Sequence, residues 1–126
     1  MQLLIDTHIL IWFLEGNNLL PKSKQQIISN SQNEIFVSIA SIWEIAIKIS
    51  VGKLNLANPL TDIIKQIAIE DIEILPISTE HTLQVSTMPF HHRDPFDRII
   101  IAQSQVENLP IITDDSEFKN YLVKIL

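Results

Sequence analysis

Acidic side chains recur at the predicted strand ends and helix starts of this chain. Asp6 follows the apolar run QLLI, and Asp94 and Asp97 open the helix predicted from DPFDRIIIAQS. A third acidic turn, Asp114–Asp115, follows the apolar pair in PIIT. In an open α/β sheet, ligand sites lie outside the carboxyl ends of the strands. Carboxylates delivered there by separate strands indicate a metal site rather than surface charge.

Each of these aspartates also has a local explanation. Aspartate is among the best N-cap residues, so Asp6 and Asp94 suit helix starts, and Asp97 could complete a capping box. Either Asp114 or Asp115 can cap the last helix, which leaves the other surplus. Taken singly, each position leaves both readings open, cap and ligand.

Glu44 has no such local explanation. It lies in the middle of SIASIWEIAIKI, a helix apolar on most sides, so its carboxylate is expected in a partly buried groove. Burying an ionised carboxylate without a partner is costly. The alternative is an i, i+4 ion pair with Lys48, worth a few tenths of a kcal/mol on an exposed face. Because this helix has little exposed face, we predict a functional role for Glu44.

The acids are more informative together than singly. Converging carboxylates would repel one another without a cation, and oxygen ligands without cysteine suit Mg²⁺ or Mn²⁺ better than zinc. Such a cluster can hold one ion, or two about 4 Å apart, and activate a water for in-line attack on a phosphodiester. The basic residues expected to hold substrate phosphates nearby are Arg93, Arg98 and Lys48.

The histidines show no spacing typical of metal ligands. His8 stands alone, and His91-His92 lies in an arginine-containing loop, where we expect a solvent-facing or substrate-edge element. The histidines are therefore left out of the predicted metal shell.

The composition indicates one globular domain of residues 1–126. The chain is 46% hydrophobic, and no cysteine is present for disulfides, thiolate metal sites or cysteine nucleophiles. No apolar run reaches the roughly 18 residues of a membrane helix, and no secretion signal is visible. We therefore expect a cytoplasmic protein without a membrane partner. The formal charge of −6 does not exclude action on nucleic acid, because bound divalent cations can reverse the local sign of a site.

Strands and helices alternate along the chain in the order β-α-α-β-α-α-β-α-α-β-α-β. This order favours an α/β fold with a parallel sheet between layers of helices. Ser38 is a suitable N-cap for the helix that carries Glu44, and Asn58-Pro59 and Asp94-Pro95 are cap-then-proline helix starts. The predicted strands are residues 2–6, 34–37, 72–77, 110–113 and 121–126.

Four segments together resemble a known family. IDTHILIWFL, SIWEIAIKISVGKL, HHRDPFDRIIIAQS and ITDDSEF, in that order and spacing, resemble the PIN domain, and more narrowly the VapC-type toxins of bacterial type II toxin–antitoxin systems. The resemblance covers essentially the whole chain. It implies a PIN-like three-layer sandwich, in which a central, mainly parallel sheet of four to five strands is flanked by helices.

The resemblance also implies an activity, a Mg²⁺- or Mn²⁺-dependent endoribonuclease. The family's catalytic and metal-binding acids map onto Asp6, Glu44, Asp97 and Asp115. Asp94 is a fifth contributor in this subgroup, Thr113 matches a small hydroxyl residue on the substrate side, and register favours Asp115 over Asp114. The family further implies an RNA substrate, a homodimer, and a VapB-like antitoxin that inserts a peptide over the site.

Other classes fit the residues less well. A phosphoacceptor receiver domain would need a lysine after a late strand, and none follows PIIT. A haloacid-type phosphatase would need an aspartate two residues after Asp6, where His8 stands, and the two glycines are too few for a Walker nucleotide site. The remaining alternative is a catalytically silent PIN-like binding module, which the intact acidic set argues against.

Overall fold

The computed structural model describes all residues 1–126, and a parallel sheet of four strands lies at its centre. The strand order is β3-β2-β1-β4, and each neighbouring pair is parallel. This confirms the predicted α/β class and the mainly parallel sheet. The strands are β1 (Gln2–Ile5), β2 (Glu34–Ser38), β3 (Ile72–Leu75) and β4 (Ile111–Ile112).

Six α-helices flank the sheet, and three of them begin at the starts predicted from Ser38, Asn58-Pro59 and Asp94-Pro95. None is long and apolar enough to span a membrane. After β4 the chain forms a short 3₁₀ turn, Ser116–Asn120. The helices are α1 (Thr7–Glu15), α2 (Lys22–Ser29), α3 (Ile39–Ser50), α4 (Leu60–Ile69), α5 (Thr79–Thr87) and α6 (Pro95–Glu107).

The strand predicted at residues 121–126 was wrong. This segment makes only an isolated parallel bridge, between Ile111 and Ile125. The strand beside it, β4, is only two residues long, so it offers no ladder along which a fifth strand could extend.

Two apolar clusters cover the two faces of the sheet. Leu3 and Ile5 of β1 lie in the cluster under α1, α2 and α4, whereas Leu4 lies in the cluster under α6. This alternation is the period of two that any strand imposes on its side chains. Because both faces are covered, β1 is a continuous apolar run, which is typical of a parallel sheet between helix layers.

The carboxyl ends of β1, β2 and β4 meet at one edge of the sheet, and helices begin there. Helix α1 follows β1 directly at Asp6, and α3 follows β2 at Ser38, whose hydroxyl accepts from the N–H of Ala40 at 3.0 Å. The two helix starts are joined by a hydrogen bond of 2.8 Å from the hydroxyl of Thr7 to that of Ser41. The sequence therefore places several polar side chains at this single edge.

Candidate metal-binding site

Asp6 is both the cap of α1 and a buried member of the acidic site. Its Oδ1 accepts from the backbone N–H of Ile9 at 2.9 Å, and its Oδ2 accepts from the hydroxyl of Thr113 at 2.5 Å. Burial raises the pKa of Asp6, against the lowering effect of these two hydrogen bonds. The negative charge of Asp115 also raises it. The cap predicted at Asp6 is therefore present, and its role as a metal ligand stays a prediction.

Thr113 connects the ends of β1 and β4 through a single hydroxyl. The hydroxyl donates to Asp6 and accepts from the backbone N–H of Asp115 at 3.0 Å. The residue is buried, so a direct substrate contact, as the resemblance implied, does not fit its position. Its hydroxyl instead fixes the geometry between the two acids.

The two neighbouring acids of the last turn face different ways. Asp114 is exposed and pairs with Lys24 of α2 at 3.3 Å, and the same amine donates to the carbonyl of Thr113 at 2.9 Å. Asp115 points to the other side, with its Oδ2 3.0 Å from Nε2 of His92. The acid that lies at the site is thus Asp115, as the register favoured.

Asp94 caps α6, whereas the side chain of Asp97 faces His92, and a ligand role for Asp97 stays a prediction. Oδ1 of Asp94 caps α6 by accepting from the N–H groups of Phe96 and Asp97, at 2.8 and 3.2 Å. The capping box does not form, because the N–H of Asp94 donates instead to Nδ1 of His92 at 3.2 Å. Oδ2 of Asp97 lies 3.0 Å from Nε2 of that histidine. Burial, and next the charge of Asp94, raise the pKa of Asp97 to about 7.

Glu44 is buried and half paired. Its Oε2 accepts from Nζ of Lys48 at 2.8 Å, while its buried Oε1 has no hydrogen-bond partner. Its negative charge contributes to the raised pKa of Asp97. The hydrogen bond from Lys48 to Glu44 raises the pKa of Lys48, and the charges of Asp94 and Asp97 act in the same direction. The i, i+4 ion pair named as the alternative for Glu44 is therefore present, and the lysine amine lies within the field of the acids.

His92 is the residue that sequence reasoning missed. It was expected at the solvent-facing edge, as its exposed neighbour His91 is, but it is buried among carboxylates. Its Nε2 lies 3.0 Å from Asp97, 3.0 Å from Asp115 and 3.4 Å from the equally unforeseen Glu117. Burial lowers the pKa of His92, but the hydrogen bond to Asp115 and the charges of these three acids raise it overall.

Arg98 does not reach the acidic edge, which corrects its predicted role in substrate binding. Its buried guanidinium donates to backbone carbonyls of the preceding loop and α5, and lies 4.5 Å over the ring of Phe90. One residue along a helix turns the side chain by about 100°, so Asp97 and Arg98 cannot share a face. Arg93 is exposed, and the structure gives it no position against the acids.

The donor atoms at this edge fit a divalent cation. Oε1 of Glu44 is buried without a hydrogen-bond partner, and burial followed by the charge of Asp94 raises the pKa of Asp97, so a bound cation would stabilise both carboxylates. The carboxylates of Asp115 and Glu117 and the ring of His92 lie within 4.8 Å of one another, and Asp115 is the only predicted ligand in this group. Carboxylate oxygens dominate the set, and such ligands suit Mg²⁺ or Mn²⁺.

Comparison with known protein families identifies the family of this chain. A model of the PIN domain matches residues 3–123. The chain belongs to the PIN domain family. This confirms the family that the four sequence segments resemble, and the matched residues include every acid of the site. PIN domains are generally nucleases that use divalent metals.

Solved structures share the fold of this PIN domain. A chain of VapBC2 from Rickettsia felis, crystallised with a DNA fragment from their promoter, is 16% identical with a TM-score of 0.72, covering 100% of this chain and 97% of that one. A chain of DNA-bound VapBC from Salmonella typhimurium is 16% identical with a TM-score of 0.70, and the match covers 100% of this chain and 98% of that one. A chain of a toxin–antitoxin complex from Klebsiella pneumoniae is 20% identical with a TM-score of 0.64, and the match covers 98% of this chain and 95% of that one. The curated proteins contain no match.

Proposed function

We propose that this PIN domain is a Mg²⁺- or Mn²⁺-dependent endoribonuclease that acts as the VapC-type toxin of a toxin–antitoxin pair. The observation that carries the proposal is the buried acidic edge, where Glu44 has an unpartnered oxygen and Asp97 a pKa raised to about 7. Membership of a family of metal-using nucleases supports it. The fold similarity to chains in VapBC structures supports the narrower assignment to VapC-type toxins.

The residues that would hold the metal are Asp6, Glu44, Asp97 and Asp115, with Asp94 beside them. When bound, the cation supplies charge to orient and activate a water and to stabilise the developing charge on the phosphate. Thr113 holds Asp6 and Asp115 in fixed relation, which preorganises the donors. Lys48 is the cation of the chain best placed to hold a phosphate oxygen, because its amine already lies in the field of Glu44 and Asp97.

A homodimer and a VapB-like antitoxin complete the proposal. An apolar stripe on the outer face of α3, with Ile39, Trp43 and Ile47 all partly exposed, supports pairing with a second copy. A groove of about 690 Å³ between α1 and α4, lined in part by Leu14 and Ile63, supports docking of an apolar peptide segment. The solved relatives named above include toxin–antitoxin complexes.

Cleavage of a mixed, structured RNA pool tests the enzymatic part. We expect the purified protein to cut RNA with Mn²⁺ or Mg²⁺, to stop with EDTA, and to lose about 10²-fold or more of its rate in Asp97→Asn. Asp114→Asn is the matched control, because Lys24 holds that carboxylate outside the site. Metal-independent cutting, or full activity in Asp97→Asn, would refute the proposal. Well-folded protein that cuts no RNA with either metal would leave the silent binding module.

Growth tests the toxin assignment separately. Induced expression in a bacterial host is expected to arrest growth, and Asp97→Asn is expected to relieve the arrest while the protein accumulates. Arrest that persists in Asp97→Asn would separate toxicity from the acidic site.

A further inference from the structure

The two ring nitrogens of His92 have different surroundings. Nδ1 lies 3.2 Å from the backbone nitrogen of Asp94, while Nε2 faces the carboxylates of Asp97 and Asp115. A backbone N–H can only donate, so Nδ1 must accept and carries no proton. In the neutral ring the proton therefore lies on Nε2.

A protonated Nε2 donates hydrogen bonds and has no lone pair for a metal ion. To ligate through Nε2, the ring would have to move its proton to Nδ1, where it would point at the N–H of Asp94. We propose that His92 is a positioning residue of the metal site and not a ligand: its Nε2–H bridges Asp97 and Asp115 and orients their remaining oxygens. The proposal rests on the proposed metal-dependent function and deepens it.

The backbone of His92 is anchored so that the ring is held in place. Its N–H donates to the hydroxyl of Tyr121 at 2.7 Å, and Arg98 donates to its carbonyl at 3.4 Å and to the same hydroxyl at 3.3 Å. The ring meets the buried ring of Phe118 edge-on, with centroids 6.1 Å apart. Arg98 therefore contributes to the site indirectly, because it holds the backbone of His92 in place.

The bridge matters because its two acids come from different elements. Asp97 belongs to the first turn of α6, and Asp115 begins the 3₁₀ turn after β4. Without a cation their charges repel, and a shared donor 3.0 Å from both keeps them together. Hydrogen bonds from surrounding groups to metal ligands typically change metal affinity 10- to 100-fold when removed.

A matched pair of substitutions separates the two nitrogens. The amide nitrogen of His92→Gln can stand near Nε2 and donate to the acids. His92→Asn can replace the acceptor near Nδ1 but cannot reach them. In calorimetric titrations of the full chain, we expect His92→Asn to weaken Mg²⁺ and Mn²⁺ binding by a similar factor, on the order of 10-fold. His92→Gln is expected to recover most of that loss.

Control and overturning outcomes follow from the same titrations. His91→Asn should leave both affinities unchanged, because that side chain is exposed. A ligand role would show a much larger loss for Mn²⁺ than for Mg²⁺, since imidazole favours the softer ion, and no recovery in His92→Gln. Either result would overturn the proposal.

Nitrogen NMR of ¹⁵N-histidine-labelled, metal-free protein at about pH 8 tests the bridge without any metal. We expect the ring proton of His92 to lie on Nε2. The amide spectrum of His92→Gln should show that this variant is still folded. A proton on Nδ1, in the other tautomer or in a doubly protonated ring, would overturn the proposal. If the wild type bound neither metal, the proposed function would fail. The nitrogen spectrum would still show whether Nε2–H of His92 donates to Asp97 and Asp115.

Discussion

Two buried histidines of this PIN domain use the same local device in different places. His81 accepts the N–H of Ser78, the N-cap of α5, at Nδ1, and His92 accepts the N–H of Asp94, the N-cap of α6. Both rings are therefore fixed at Nδ1 by a helix start. Their Nε2 atoms differ, because that of His92 has two carboxylates at 3.0 Å, whereas that of His81 has no hydrogen-bond partner and lies 3.6 Å from Glu107.

The difference separates a structural cap from a site residue. At α5 the histidine completes a capping box with the hydroxyl of Ser78, and the acid beside it is partly exposed. At α6 the Nε2 of the ring faces three acids, of which Asp97 and Asp115 are partly buried and Glu117 is exposed. The same helix-start hydrogen bond thus fixes a structural histidine in one place and, in the other, the histidine that faces the proposed metal ligands.

The largest expected effect is the pH dependence of the metal-free protein. The pKa of Asp97 is about 7 in the fold against 3.8 unfolded, so the fold holds a proton that the unfolded chain releases. This contribution is fully present below pH 4 and is lost as pH rises through 7, at a cost on the order of 2–4 kcal/mol. Urea unfolding in EDTA should show this loss between about pH 4 and 7. Asp97→Asn should reduce it, while the raised pKa values of Asp6 and His92 still contribute in the same direction.

The acid beside the other histidine sharpens that comparison. Glu107 also faces a buried ring, but its side chain is 38% exposed, so Glu107→Gln should keep the pH profile of the wild type. If Asp97→Asn and Glu107→Gln changed the pH dependence of stability equally, the buried charge of the acidic site would not be its cause.

An intermediate effect is expected from removing the cap at α5. His81→Ala leaves the N–H of Ser78 without its acceptor and should reduce the free energy of unfolding by about 1–2 kcal/mol. Mg²⁺ affinity should stay at the wild-type value, in contrast to the His92→Asn result. Calorimetric titration beside thermal unfolding checks both, and weaker metal binding in His81→Ala would dissolve the distinction between the two histidines.

The smallest effect is expected at the outer flank of the last turn. Asp114→Asn removes an exposed ion pair with Lys24 and should change stability by less than about 1 kcal/mol. Lys24→Met also removes the donor to the Thr113 carbonyl, so it should weaken Mg²⁺ binding a few-fold. Equal Mg²⁺ affinities of the two variants would show that the contact from Lys24 to the Thr113 carbonyl has no part in positioning Asp115.

Much of the fold and the acid set could be predicted because both follow local rules. Apolar runs ended by acids, with capping residues at helix starts, predicted the strands and the edge that Asp6 and Asp115 occupy. Glu44 could be singled out because its helix is apolar on most sides. These are properties of short segments, which sequence patterns describe well.

The missed features depend on contacts between distant segments. Nothing within HHRD distinguishes His91 from His92, since burial of the second ring is decided by Tyr121 and Phe118 nearly thirty residues later. Arg98 was misassigned for the same reason, because its partners are carbonyls of a loop with no regular pattern. The failure of the last strand reflects the short length of β4, which tertiary packing sets.

The hydroxyl bond from Thr113 to Asp6 joins residues 107 positions apart in the chain. A ribosome completes the first strand and its acid long before it delivers β4, the edge strand, and the turn with Asp115. Synthesis proceeds at about 5–20 residues per second, so a nascent chain spends several seconds with half of its acids in place and the others not yet made. The proposed ribonuclease would therefore be inert beside the message that encodes it, and would become competent only when its last segment docks.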